Sequence, residues 1–381
     1  MSKQFLVTRK FQPEICKALQ FLCARNFMVQ MTSSSNKKII GWWLMIGVIM
    51  IFLQVLIGGI TRLTESGLSI TEWNVVMGTL PPMNDAEWKK SFDEYKQSPQ
   101  GKLLNTDMTV SGYKNIFWWE WIHRLWARTF FPVFLIPFIY FLLKKMIEKK
   151  LIWNLLFVFV FGGVQGVLGW YMVSSGLKDV PWVSPYFLCA HLLLASALMG
   201  YLLWLSIEQF DAGKTEPQVQ NKTTQILGRS ILAIVFIQLG FGAFMAGGVA
   251  PAALWYPTWP RIGMNWIPEN VFVLSNPQWH TLLENPAFVQ LVHRSIAYLL
   301  VILIFTFWLR SRKNFSGDIR IVSNGLLAMI FIQATLGIIT LLSSIGSVPV
   351  LWGVLHQAGG LITFSLALIL VYFLSKKKIY R

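Results

Sequence analysis

Three cysteines in 381 residues are too few to staple a fold. Cys16 and Cys23 lie in the N-terminal segment and Cys189 lies in an apolar stretch. No disulfide can be drawn across the outer loops, and that pattern argues against redox chemistry by paired thiols. Charge is also scarce, with 13% charged residues against 55% hydrophobic. A soluble chain of this length would form two or three domains, but this composition makes the bilayer the expected solvent. Acids are rarer still, 17 against 33 lysines and arginines. The net charge of +16 would suggest nucleic acid for a soluble protein, yet here the distribution of the charge decides, and nucleic acid is not an expected partner.

What the chain does have is long uncharged runs. About 20 apolar residues cross a hydrocarbon core, and every backbone amide inside it must be paired. Gly41–Ile60 and Val350–Leu374 each qualify unaided, and runs with one or two embedded polar residues bring the count to eight spans, near 41–61, 117–143, 151–173, 186–207, 227–249, 287–309, 321–343 and 350–374. The fold class is therefore all-α, a polytopic membrane protein. Lys37, Lys38, Lys144, Lys145, Lys149, Lys150, Arg310, Arg312, Lys313, Arg320, Lys376–Lys378 and Arg381 fall on one side, which the positive-inside rule makes cytoplasmic, with both termini there. The loop 208–226 fits poorly, being slightly acidic apart from Lys214 and Lys222. Residues 1–36 are basic, with Glu14 the only acid, and end in a serine run that superficially resembles an organelle transit peptide. They are read as a cytoplasmic tail, or as a stretch upstream of a start at Met31. A bacterial inner membrane is expected ahead of a mitochondrial one.

A helix-pair unit recurs four times. The odd-numbered spans carry Gln54/Gly58, Gln165/Gly169, Gln238/Gly242 and Gln333/Gly337; the even-numbered spans carry His123/Ala127, His191/Ala195, His293/Ala297 and His356/Gly360. A four-residue spacing puts each pair on one helix face, a polar group beside a gap that something flat or bulky can approach. Small-residue packing with an interhelical hydrogen bond is the plainer reading of Gln-x-x-x-Gly. Counting from each histidine to the first cytoplasmic-side charge puts all four imidazoles roughly 25–32 Å from the inner boundary at 1.5 Å per residue. Ionisable groups at one depth on alternate helices are costly and usually functional.

Two histidines facing each other across a small-residue groove suit a porphyrin iron, whereas zinc, copper or di-iron sites want cysteine, carboxylate or clustered histidines. By repeat order His123 pairs with His191, and His293 with His356. Arg62, Arg124, Arg128 and Arg294 sit where they can pair with propionates, or snorkel to outer head-groups. The halves differ in one respect: Glu120 precedes His123 by three residues, and Gln290 precedes His293 by three. A carboxyl beside a haem in low dielectric is poised to shuttle protons, which an amide cannot do. An ion pair of Glu120 with Arg124 is the alternative.

The motifs Gly58-Gly59-Ile60-Thr61-Arg62-Leu63-Thr64-Glu65-Ser66-Gly67-Leu68-Ser69 with Trp73, Glu120-Trp121-Ile122-His123-Arg124, His293-Arg294 and His356-Gln357 resemble the signature of the haem A synthase family, over residues 40 to 375. The resemblance implies two pseudo-symmetric four-helix bundles. Their expected limits are a tail at 1–40, a substrate-haem bundle at 41–210, a linker at 211–226 and a haem b bundle at 227–381. It further implies that His293 and His356 ligate haem b, that His123 and His191 flank the haem O substrate, and that Glu120 matches a catalytic carboxylate. The implied reaction oxidises the C8 methyl of haem O to a formyl group, giving haem A for terminal oxidases. Haem O synthase, an unidentified electron donor and a second copy of the chain are the partners to be expected beside the bilayer. Some family members carry paired cysteines in the outer loops. This chain resembles the cysteine-free branch of mitochondria and many bacteria, which puts a thiol relay in doubt. The competing functions are a bis-histidine dihaem cytochrome that oxidises quinol and a haem carrier.

Overall fold

A computed structural model of the chain describes residues 12–71, 79–177, 181–211, 222–248, 251–272 and 279–375, excepting the side chains of 12–34 and 279–281. Trp73, Lys214, Lys376–Lys378 and Arg381, and the side chains of Cys16, Cys23 and His280, lie outside what is described. Among the described residues the regular structure is helical. Eight helices among the described residues are long and apolar enough to cross a membrane, the first of them over Ser35–Leu63. They are α1 (Gln12–Leu63), α4 (Val110–Leu143), α5 (Lys149–Gly176), α6 (Pro185–Phe210), α7 (Lys222–Ala246), α9 (Pro286–Asn314), α10 (Gly317–Leu342) and α11 (Val350–Ser375). Short helices α2 (Asp85–Gln97), α3 (Pro99–Leu103) and α8 (Ala252–Trp255) stand in the loops.

Two spans are longer than hydropathy predicts, each for a local reason. No glycine or proline interrupts residues 14–40, so α1 runs unbroken from Gln12, with Pro13 in its first turn where proline costs nothing. At α4 the Thr109 hydroxyl caps Gly112 N–H at 3.2 Å, and the first turns carry Tyr113 and Phe117 into an aromatic cluster with Trp88, Phe92 and Tyr95. That cluster holds α2 against the start of α4. Pro185 and Pro286 open α6 and α9, again at the first turn.

In the first half α1 packs on α4 and α6, and α6 packs on α5. In the second, α7, α9, α10 and α11 close a ring in which each touches its neighbours. The halves meet where α6 lies on α7 and α11 lies on α1 and α6. Lipid gives apolar helices no reason to associate, so close approach of backbones does the work. A Cβ on Gly200 would stand 2.9 Å from the Phe364 ring, and the Ser206 hydroxyl donates to Gly41 O at 2.8 Å. The one large core cluster runs through both halves, from Leu44 and Phe134 to Phe307, Phe364 and Leu370.

The halves are not packed alike. α4 and α5 meet through Phe159, whose ring lies 5.4 Å from Phe138 and 6.3 Å from Phe131 and Phe134, with little close backbone approach, whereas the α9 and α10 backbones pack closely.

Candidate functional site

The four-fold repeat is a clamp and a slot. In every unit the glutamine amide donates to the backbone carbonyl of the histidine on the next helix. Gln54 reaches His123 O at 3.2 Å, Gln165 reaches His191 O at 3.0 Å, Gln238 reaches His293 O at 3.0 Å and Gln333 reaches His356 O at 2.8 Å. The glycine four residues on lies against the imidazole. A Cβ there would meet His123 at 3.1 Å, His191 at 3.0 Å, His293 at 3.8 Å and His356 at 2.8 Å. The gap beside each glutamine, expected from the sequence to admit something flat or bulky, is thus filled by the neighbouring ring; at Gly58, Gly169 and Gly337 a side chain would crowd that ring, and at Gly242 a methyl would fit.

Clamping aims the rings in pairs. His293 and His356 face one another with centroids 6.3 Å apart and planes 71° apart. Two metal–imidazole bonds of about 2.0–2.1 Å, plus about 1.1 Å from each nitrogen to its ring centre, add to about 6.3 Å. The second pair therefore fits an iron held between two imidazoles. His293 and His356 each keep a buried Nδ1 with no hydrogen-bond partner, as does His191. Orphaned buried ring nitrogens are what a metal site leaves before its ligand and the partners of its ligands are in place. In the first half His123 and His191 occupy the equivalent positions, each lying against its glycine, Gly58 and Gly169. Among the described residues no group of three or more His, Cys, Asp or Glu gathers elsewhere to hold a metal.

At the histidine end each half is roofed by a loop, and the residues flanking the first histidine fasten it. Glu120 is 2% exposed. One of its oxygens accepts from Arg124 at 2.5 Å; the other accepts from the Ser69 hydroxyl at 2.7 Å and Ile70 N–H at 2.8 Å. Arg124 also donates to Ile70 O at 2.9 Å. The loop is held again by Gln100, which donates to Glu65 O at 2.9 Å, and by Leu68 seated against Gly176 at the end of α5. In the second half Gln290, fully buried, accepts from Arg294 and donates to Ala252 O at 2.6 Å and Tyr256 O at 3.3 Å. Arg294 donates to Arg261 O at 3.0 Å and to Pro260 O and Tyr256 O at 3.4 Å.

The Glu/Gln difference thus matches the polarity of the two roofs. The first offers a hydroxyl and an N–H, which a carboxylate accepts; the second offers carbonyls, to which only an amide can donate. Of the cations expected near propionates, Arg124 and Arg294 are engaged by their roofs. Arg128 lies one turn inward of Arg124, half-buried, and Arg62 closes α1 with its Nε buried and without a partner.

Two contributors escape sequence reasoning. Ser69 belongs to the motif after α1, but nothing in spacing ties it to Glu120, 51 residues away. Gln357, next to His356, donates to Val55 O of α1 at 3.2 Å and lies against Gly59, which ties the second site to the first half.

With this geometry in hand, kinship is informative. The sequence pattern of the cytochrome oxidase assembly protein family matches residues 41–368. The chain belongs to this family. Its similar relatives include the heme A synthase of Parvibaculum lavamentivorans, 41% identical over 351 residues, which cover 90% of this chain and 96% of the relative. That of Nitrosospira multiformis is 41% identical over 335 residues, covering 87% and 92%. That of Caulobacter vibrioides is 40% identical over 343 residues, covering 89% and 97%. In this cytochrome oxidase assembly protein the matched stretch contains every glutamine, histidine and roof-fastening residue described above.

Proposed function

We propose that this chain is a haem A synthase, an oxidoreductase that converts haem O to haem A. The observation that carries the reading is the duplicated histidine pair with unlike surroundings: one pair spaced for a six-coordinate iron, and one equivalent pair beside an arginine-bound carboxylate in a looser half. Kinship to proteins named heme A synthase over nearly the whole chain supports it. We assign residues 227–381 to a resident haem b, held by His293 and His356, and residues 41–210 to the substrate, flanked by His123 and His191. When bound, haem b supplies one-electron chemistry whose potential follows its axial ligands and burial.

The residues of this chain hold and orient. The glutamine clamps fix the histidine backbones, the glycine slots fix the ring positions, and the roofs keep water from the histidine end. Arg62 and Arg128 are placed to bind the propionates of haem O, and Glu120 contributes the fixed negative charge beside His123. Two successive hydroxylations of the C8 methyl give a geminal diol, which loses one water to leave the formyl group; the oxidant and the electron donor come from outside the chain. The positive-inside bias and the bacterial relatives support a bacterial inner membrane, with the histidine end outside and both termini in the cytoplasm.

Chromatography of haems extracted from cells expressing the chain with a haem O supply tests this. Haem A together with haem B is the expected outcome. Haem B alone at two per chain would replace the reading with an electron-transfer cytochrome, and weak substoichiometric haem with a carrier.

A further inference from the structure

The first half is open sideways, and the second is not. α4 and α5 join near Phe138 and Phe159 and part toward the histidine end. On the α5 side of the gap stand Gly162, Gly163 and Gly166, all exposed, and a Cβ on any of them would meet nothing within 4 Å. Opposite, on α4, Ala127 is exposed and Phe131 is 58% exposed, its ring set edge-on against Phe159 at 6.3 Å where it closes the inner end of the gap. The repeat locates the same depth in the second half. Counting from Gln165 to Gln333, Gly162 corresponds to Ile330, which is 4% exposed, and Gly166 to Ala334, which is half-buried. Counting from His123 to His293, Phe131 corresponds to Val301, packed against the core. Gly163 corresponds to Phe331, which is 51% exposed, so where the second half carries Ile330, Phe331 and Ala334 the first has a notch floored with glycine.

The notch leads to the histidines. One turn beyond Gly166, Gly169 lies against the His191 ring, whose buried Nδ1 has no hydrogen-bond partner. In a membrane the notch faces hydrocarbon, so what enters must be lipid-soluble. It must also have a flat body that can pass between two helices and a polar centre that an imidazole can ligate. Haem O has this form: a porphyrin iron carrying a long isoprenoid alcohol chain. The depth of the notch, from His191 down toward Phe159, suits a chain lying along α5 with its end in lipid.

We propose that the gap between α4 and α5 is the lateral gate through which haem O enters the first site from the bilayer, and that it stays open around the isoprenoid chain, which runs over Gly162, Gly163 and Gly166. The closed α9–α10 wall would then restrict the second site to a haem without such a chain. This rests on the proposed reading for the identity of the ligand, and on the packing of α4 and α5 alone for the gate.

The test uses full-length protein in nanodiscs with its second-half haem in place. Haem O is delivered from vesicles, and uptake is followed by the change in haem absorbance. Gly166→Trp sets an indole into the notch from a position where a Cβ meets nothing within 4 Å. The parent's second-half haem content is expected, with haem O uptake slowed at least tenfold. In the parent, haem O bearing a photoactivatable group at the end of its isoprenoid chain is expected to crosslink to peptides of α4 and α5. Parent-rate uptake in Gly166→Trp would overturn the gate, as would crosslinks confined to α9 and α10 or to the loops at the histidine end. If the variant lost its second-half haem, crosslinking in the parent would still decide. Haem O that enters and crosslinks as expected but is never oxidised would overturn the reaction and leave the gate standing.

Discussion

Replacing Glu120 with Gln is the most informative single change, because the structure assigns each carboxylate oxygen a job that an amide cannot do. One oxygen meets Arg124 and the other meets two donors, Ser69 and Ile70 N–H. Glutamine has one oxygen. If it faces Arg124, its NH2 confronts the Ile70 N–H; if it faces the loop, its NH2 confronts the guanidinium. The Glu120 and Arg124 side chains are only 3% and 10% exposed. Breaking a buried pair by removing one charge costs about 3–5 kcal/mol, mostly from the charge left behind. That is well above the value of an exposed i, i+4 pair, about 0.3–0.5 kcal/mol. Thermal unfolding of the purified variant should therefore begin several degrees below the parent, and proteolysis should cut the 64–71 loop first. Ser69→Ala removes one hydrogen bond to a charged group and should cost less, about 1.5–3 kcal/mol. Gln290→Glu makes the reverse error, setting a carboxylate against Ala252 O and Tyr256 O, and should loosen the second roof. A Glu120→Gln protein as stable as the parent would refute this reasoning, since the carboxylate would then not be what fastens the loop.

Other outcomes follow from the same geometry. His293→Ala and His356→Ala should each lower haem b content and abolish its low-spin spectrum; retention of that spectrum in both would move the ligands elsewhere. Gly337→Ala puts a methyl 2.8 Å from the His356 ring and should cost about 1–3 kcal/mol as overpacking, whereas Gly242→Ala, with 3.8 Å of room, should leave the haem b spectrum unchanged. Tags at residue 30, in 208–226 and at the C-terminus should be reached only from the cytoplasmic side, and a tag within 84–106 only from outside; outside labelling of the C-terminus would break the eight-span topology.

The spans and the four histidines are legible because they rest on periodicities a helix imposes, and the boundaries of α5, α6, α9 and α11 follow from charge and proline. The pairing of histidines by repeat order agrees with the ring-to-ring approach of His293 and His356. What is not legible depends on contacts distant in sequence. Glu120 and Gln290 are a visible difference, but its meaning needs the loop polarities, set by Ser69 and Ile70 in one half and by the backbone of 252–261 in the other. The glutamines can be seen to recur, yet their target is a main-chain carbonyl, which has no sequence signature. Gly162, Gly163 and Gly166 of α5 belong to no repeat, and only their open surroundings show that nothing packs on them.

The adjacent glycines of α1 serve opposite halves, which makes the two bundles less separable than their repeat suggests. Gly58 houses the His123 ring, and Gly59 faces the Gln357 amide, which is bonded to Val55 O and follows His356 directly in sequence. A methyl on Gly59 would displace the end of that flexible side chain and cost the interhelical hydrogen bond, which in membranes averages about 0.6 kcal/mol and reaches about 1.7 kcal/mol. The small energy would be spent next to an axial ligand, so Gly59→Ala, a first-half substitution, should shift the absorbance and midpoint potential of the second-half haem. Gly58→Ala, one residue earlier, should leave that haem alone and instead disturb the first site, where a Cβ comes 3.1 Å from His123 Nε2. If both variants left the second-half haem unchanged, α1 would be only a wall of the first bundle, and the contact of Gln357 with it would carry no information between the sites.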